Sequence, residues 1–199
     1  MHRVLVAYAT NAGSTAEVAH AVGEALAGSG AEVDVRRIEE ITEIGGFAAV
    51  VVGAPMIVGW HRAAVGFVRK HRRELAAKKV GYFLTALSMT QVPHHLEGIP
   101  VALDPALAKA PKKEGRLSFK ERFATVDEYV GPVLRAVPEV APVGVGVFGG
   151  KLDPTSLKWW QRLFVTRIIG ARPGEYRNWP FIREWAARLA SEIARSGGE

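Results

Sequence analysis

The sequence predicts an α/β protein: a doubly wound, five-stranded parallel sheet with helices on both faces. Three observations predict it. Short apolar runs rich in β-branched residues recur along the chain, as in strands buried on both faces. Between them lie segments whose apolar residues recur at helical spacing. The two kinds alternate, which calls for right-handed crossovers and parallel pairing. A chain of 199 residues, 48% of them apolar, has material for one core, so residues 1–199 read as a single domain.

The first run, residues 3–9 (RVLVAYA), reads as a buried strand. Residues 14–28 read as a helix, with Val18, Val22 and Leu26 on one face and Gly28 and Gly30 closing it. Val33 and Val35 alternate with charges over 31–37, the pattern of an edge strand. Residues 47–53 (FAAVVVG) form the third strand, and 61–75 a helix carrying Val65, Val68 and Leu75. Residues 79–85 (KVGYFLT) form the fourth strand, 122–137 a helix and 143–148 (VGVGVF) the fifth strand. Residues 179–195 close the chain as an amphipathic helix through Ile182, Trp185, Leu189 and Ile193. Two stretches exceed what such a sheet needs: about 88–121, rich in Pro, Lys and His, and about 149–178. Long loops on a rigid scaffold tend to carry function.

Composition narrows the chemistry. There is no cysteine, hence no disulfide, thiol nucleophile, Fe–S cluster or zinc–thiolate site, which fits a reducing compartment. No run approaches the roughly 20 apolar residues of a spanning helix. Asn11 and Gly13 cut the N-terminal run too short for a signal peptide. The expectation is a cytoplasmic protein, at most peripheral on the inner face of the membrane. Charge is uneven: 26 Lys+Arg against 20 Asp+Glu give +6, of which residues 1–100 carry +1 and residues 101–199 carry +5. There is no G-x-S-x-G and no H-E-x-x-H. His94-His95 lacks the neighbours of a metal site, so none is expected, and the cations at 70–73 and 78–79 suit a helix C-terminus.

The sharpest chemistry lies after the first strand, in Thr10-Asn11-Ala12-Gly13-Ser14-Thr15. Free amides and the helix dipole make such a turn an anion site, and Gly13 lets it close tightly. It has neither the lysine of a nucleoside-triphosphate loop nor G-x-G-x-x-G. A hydroxyl-rich, uncharged loop suits a phosphate monoester. The same residues also suit an ordinary N-cap, with Ser14-x-x-Glu17 as a capping box.

The spacing of Tyr8, Thr10, Gly13, Thr15, Ala19 and Val22 resembles the flavodoxin signature, with Ala7 where that family usually has a larger residue. The resemblance implies strand order 2-1-3-4-5 and FMN at the C-terminal ends of the strands, where open α/β sheets bind ligands. The phosphate would sit on Thr10 to Thr15. The ring would lie between Pro55-Met56-Ile57-Val58-Gly59-Trp60 and Thr85-Ala86-Leu87-Ser88. The first of these loops is apolar and ends in an aromatic, as a flat ring requires, although a buried loop explains Ile57 and Val58 equally well.

Electron-carrier flavodoxins are acidic as a family, whereas this chain is basic. A closer resemblance is to the bacterial flavodoxin-like protoporphyrinogen oxidases of heme biosynthesis, which pass electrons to menaquinone. It rests on Val50 to Ala54 with Gly59, Phe67-Val68-x-Lys70-His71, Gly150-Lys151-Leu152-Asp153, Trp159-Trp160-x-Arg162-x-Phe164 and the tail from Trp179 to Ala194. Residues 92–121 are longer than in that family. This resemblance implies an FMN-dependent oxidoreductase with a porphyrinogen and a quinone as partners and the flavin as direct hydride acceptor. A non-catalytic electron carrier and an NAD(P)H-dependent quinone reductase stay open.

Residues 151–177 hold six basic and two acidic residues, a net of +4. Asp153-Pro154 starts a helix over 154–169, with Leu157, Trp159, Trp160, Leu163, Phe164 and Ile168 on one side. Tryptophans beside cations suit a membrane interface, and an ordinary surface helix packed on the sheet is the alternative. Lys151, Lys158 and Arg162 suit the propionates of a porphyrinogen, Trp159 and Trp160 its macrocycle or lipid. No recognition module points to nucleic acid.

Overall fold

In β1 (Arg3–Tyr8) every residue after Arg3 is buried, as a strand covered on both faces must be. This computed structural model describes residues 2–56, 59–93, 96, 98–113, 115–152 and 173–195. α1 (Ser14–Gly28) follows and lays Val18, Val22 and Leu26 on the sheet. β2 (Glu32–Arg37) is partly exposed, and a 3-10 turn at Ile38–Glu40 leads on to β3 (Ala49–Pro55). Then come α2 (Arg62–Lys70), α3 (Arg72–Ala76), β4 (Lys79–Ala86), β5 (Met89–Thr90), β6 (Val101–Leu103) and β7 (Ala108–Lys109). The chain continues through α4 (Phe119–Arg122), α5 (Val126–Ala136), β8 (Pro142–Gly149), β9 (Lys151–Leu152), β10 (Gly174–Glu175) and α6 (Trp179–Ala194).

The main sheet has the order β2-β1-β3-β4-β8-β6 and all its pairs are parallel. The expected order 2-1-3-4-5 is therefore present, with β8 as its fifth strand. The expectation of only five strands is corrected. β6, from the 88–121 insertion, adds a sixth strand outside β8, pairing Val101, Ala102 and Leu103 with Val145, Gly146 and Val147. Three half-buried residues between Pro100 and Asp104 carry no readable period, so nothing local announces this strand.

Two predicted helices have other bounds. The helix over 61–75 is broken in two at His71, whose ring is buried beside Phe67 and whose Nδ1 lies 3.1 Å from Glu74. The helix over 122–137 begins later, as α5, because the Thr125 hydroxyl accepts from the Glu128 amide and caps its start; α4 lies before it. β3 and β4 also run further than predicted, so Pro55, Thr85 and Ala86 end strands rather than begin loops.

Each face of the sheet has its own core. On one, α1 and α6 cover Val4, Val6, Phe83 and Phe148, with the Phe148 and Trp185 rings 5.2 Å apart. On the other, α2, α3 and α5 cover Val50, Val52, Tyr82 and Leu84. At the end of β8, Gly149 allows a close chain crossing: a Cβ there would lie 1.8 Å from the Tyr176 carbonyl oxygen. Tyr176 in turn donates its amide to Gly150 O at 3.0 Å, beside the antiparallel β9–β10 pair.

Candidate functional site

The predicted phosphate turn lies at the C-terminal end of β1, in the middle of the sheet. The capping-box expectation is corrected here. Ser14 is already helical, and the N-cap is Gly13, in left-handed backbone at φ 84° with no side-chain cap. A residue with a Cβ is strained in that region, which is why glycine serves. The Thr10 hydroxyl accepts from the Gly13 amide at 3.0 Å, which folds the turn back on itself. The amides of Ser14 and Thr15 have no acceptor among the described residues. The N-terminus of α1 thus presents bare N–H groups with positive dipole potential, the conditions for holding an anion.

Long-range bonds tie this turn to both other predicted loops. Buried Thr15 shares a hydrogen bond of 2.9 Å with Thr85 at the end of β4. His61, beyond the 55–60 loop, donates from Nε2 to Asn11 Oδ1 at 3.1 Å. Its Nδ1 accepts from the Ala63 amide at 3.3 Å, which leaves the ring proton on Nε2. Met56 donates its amide to Thr85 O at 2.9 Å, joining the second and third loops. The structure therefore brings Thr10 to Thr15, Pro55, Met56, Gly59, Trp60 and Thr85 to Ser88 to one end of the sheet. Asn11, Ala12 and Gly59 are exposed, while Met56 and Ala86 are buried. Trp60 turns into the core, 5.3 Å from the Tyr82 ring, and its indole N–H has no partner among the described residues. Burial likewise pushes the Tyr82 hydroxyl well above the usual tyrosine range.

Sequence reasoning missed a buried cation at the start of α1, beside the phosphate turn. Buried Arg177 places Nη1 2.9 Å from Glu17 Oε2 and 3.5 Å from Ser14 O, both in the first turn of α1. Its Nε and Nη2 fork onto the carboxylate of Glu175, and Trp179 lies under the guanidinium at 4.5 Å. The fork raises the Arg177 pKa and lowers that of Glu175. Arg177 thereby takes up Glu17, a negative charge that would otherwise face the phosphate turn. The only sequence signal was Glu17 itself, read there as half of a capping box. Asp104, fully buried after β6, is a second omission: Oδ1 accepts from Ala106 N at 2.9 Å and Asn178 Nδ2 at 3.1 Å, and Oδ2 has no partner among the described residues.

Lys151 is exposed at the start of β9. Ile57, Val58, Lys158, Trp159, Trp160 and Arg162, the expected helix over 154–169 and the His94-His95 pair lie outside the described residues. Among the described residues no helix is long and apolar enough to cross a membrane.

A model of the flavodoxin domain family matches residues 5–176. The chain belongs to the flavodoxin family. No curated protein matches it in sequence. Among solved structures, two-electron reduced Megasphaera elsdenii flavodoxin is similar at 14% identity and TM-score 0.51, over 94% of this chain and 98% of that one. A short-chain flavodoxin associated with a non-canonical PDU bacterial microcompartment is similar at 12% identity and TM-score 0.54, over all of both chains. Rubredoxin oxygen:oxidoreductase from Desulfovibrio gigas is similar at 15% identity and TM-score 0.52, over 98% of this chain but 36% of that one. At such identities these structures bear on the fold alone. FMN is the cofactor of flavodoxins, and the residues here fit it. The uncapped N-terminus of α1 with the Thr10, Ser14 and Thr15 hydroxyls suits its phosphate, and the two flanking loops suit a ring at the sheet's C-terminal end.

Proposed function

We propose that the protein is an FMN-dependent electron-transfer flavoprotein, with a flavodoxin-type carrier as the first reading. The observation that carries it is the bare N-terminus of α1, cross-linked to both neighbouring loops through Thr15–Thr85 and Asn11–His61. FMN supplies the one- and two-electron chemistry when bound; the protein supplies binding, orientation and electrostatics. The Ser14 and Thr15 amides and the Thr10 and Ser14 hydroxyls hold the phosphate. Thr85 fixes the rotamer of Thr15, and Arg177 withdraws Glu17 from the anion. Pro55, Gly59, Leu87 and Ser88 border the ring, and the buried Met56 and Trp60 support its floor. Membership of the flavodoxin family, matched over residues 5–176, favours the carrier.

A second reading is an oxidoreductase that takes electrons from protoporphyrinogen IX and delivers them to menaquinone. What favours it is the basic charge, +6 overall, of which residues 101–199, holding most of the first insertion and all of the second, carry +5. Lys151, Lys158 and Arg162 would meet the propionates of the substrate. Residues 154–169 would rest on the membrane that dissolves the quinone. FMN titration of the apoprotein, followed by flavin absorbance and fluorescence, tests the shared reading: one equivalent bound is expected, and no binding overturns it. Anaerobic mixing of the loaded protein with protoporphyrinogen and a menaquinone analogue then separates the two. Catalytic turnover selects the oxidoreductase; no turnover, with rapid exchange of electrons with a redox protein, selects the carrier. Fast NAD(P)H oxidation instead selects a quinone reductase.

A further inference from the structure

We propose that residues 109–123 form a docking surface for an anionic lipid bilayer, with Phe119 and Phe123 as its apolar anchors. Phe119 is 76% exposed and Phe123 55%, and among the described residues no other large hydrophobic side chain is so exposed. Their rings lie 4.7 Å apart, so they form one apolar knob on and just after α4. Isolated exposed apolar residues are ordinary; a paired knob inside a charged field is not.

That field is basic. Residues 109–123 contain six Lys or Arg against two Glu, a net of +4. Lys109, Lys112, Lys113, Arg116 and Arg122 are exposed, and none forms an ion pair among the described residues. Glu121 does not offset them freely. Its carboxylate accepts the amides of Lys112 at 2.8 Å and Ser118 at 2.7 Å, so it is committed to the cap of α4.

Apolar side chains surrounded by unpaired cations fit an anionic bilayer. The phenyl rings enter the headgroup–acyl boundary, and the Lys and Arg side chains are drawn to the negative surface potential of the bilayer. An acidic protein would match the charge but not the scale of the knob. A stable protein interface buries about 800 Å² on each partner, which two rings on a four-residue helix do not approach. The patch also has a fixed place. The Thr90 amide donates to Ala124 O at 2.6 Å, and β5 pairs with β7, so the segment hangs directly from Thr85 to Ser88. A bilayer at Phe119 and Phe123 would lie beside the proposed flavin end of the sheet, within reach of a lipid-dissolved acceptor. Access to such an acceptor rests on the proposed function; the lipid binding does not.

The test is co-sedimentation of the full chain with phosphatidylcholine vesicles, with and without phosphatidylglycerol. Binding only to the phosphatidylglycerol vesicles, reduced by salt, is expected. F119S/F123S should weaken the partition by at least about tenfold, two aromatic anchors being lost. K112Q/K113Q/R116Q should weaken it too, with both variants melting as the parent does. W159S/W160S should leave the anchor contribution in place. The proposal is overturned if the parent binds no vesicle, if it binds both kinds equally, or if the F119S/F123S and K112Q/K113Q/R116Q variants bind as the parent does. It is also overturned if the parent is retained on immobilised polyglutamate but not on phosphatidylglycerol vesicles. Sedimentation reads lipid binding without the flavin, so a failed FMN titration leaves this result interpretable.

Discussion

The phosphate turn and the 109–123 segment use opposite means to meet an anion. The turn is nearly uncharged, and its donors are fixed by bonds reaching 50 and 70 residues along the chain, Asn11–His61 and Thr15–Thr85. The segment is strongly charged, and its side-chain bonds are local: Glu121 reaches back three residues to Ser118 and nine to Lys112. Fixed dipoles in the first case select one group by geometry. Exposed cations in the second attract a surface by their summed field, with Phe119 and Phe123 as anchors. A substitution in the first region should therefore disturb fold and affinity together, and one in the second affinity only.

The largest effect is expected where the platform beneath the turn is broken. Phe148→Ala empties a position packed among Phe83, Phe181 and Trp185 and should lower unfolding stability by about 3–5 kcal/mol, read as a urea midpoint shift. A loss no larger than that of an exposed site would show that this face of the sheet is not the rigid support described. Thr15→Val comes next. It leaves the buried Thr85 hydroxyl without its partner, and a loss of about 1–3 kcal/mol in stability is expected along with weaker FMN binding.

Arg177→Met sharpens the contrast from the charge side. Glu17 then faces the phosphate turn unpaired, and FMN should bind roughly tenfold more weakly, about 1.4 kcal/mol. Riboflavin, which lacks the phosphate, should bind as before, and adding Glu17→Gln should restore much of the FMN affinity. Equal losses for both ligands would mean that Arg177 only holds the loop together. The smallest effect belongs to Glu121. The Ser118 side chain, then the Lys112 and Ser118 amides, hold its carboxyl at about 2, below its ordinary 4.5. A depressed value means that the cap of α4 contributes fully above the ordinary value and is lost as pH falls from 4.5 towards 2. The amide shifts of Lys112 and Ser118, followed by NMR, should move in that window and not above it.

What the sequence makes legible follows the same division. The strands from Arg3, Ala49, Lys79 and Pro142 are runs of buried apolar residues, and the period of Val18, Val22 and Leu26 marks α1, so the main sheet can be read locally. The turn at Thr10 to Thr15 is legible as the start of α1, because hydroxyls and a glycine between an apolar strand and an apolar-periodic segment mark a helix N-terminus. β6 is not legible, since three residues on an edge gain their structure only from Val145 to Val147. Arg177 is not legible either: its partner Glu17 lies 160 residues away. The inward turn of Trp60 depends on Tyr82 in another strand, a tertiary contact that no local pattern encodes.

The clasp after β8 has a consequence for how this chain can vary. Leu152 and Gly174 face each other across the β9–β10 pair, so the two points of the chain on either side of residues 153–173 are held together. The Tyr176 crossing over Gly149 seals that doorway from behind. A hairpin closes with as few as about two residues. The two strand ends are thus fixed by their own pairing, and the positions of Arg177 and the phosphate turn do not rest on the length of chain that joins Leu152 to Gly174.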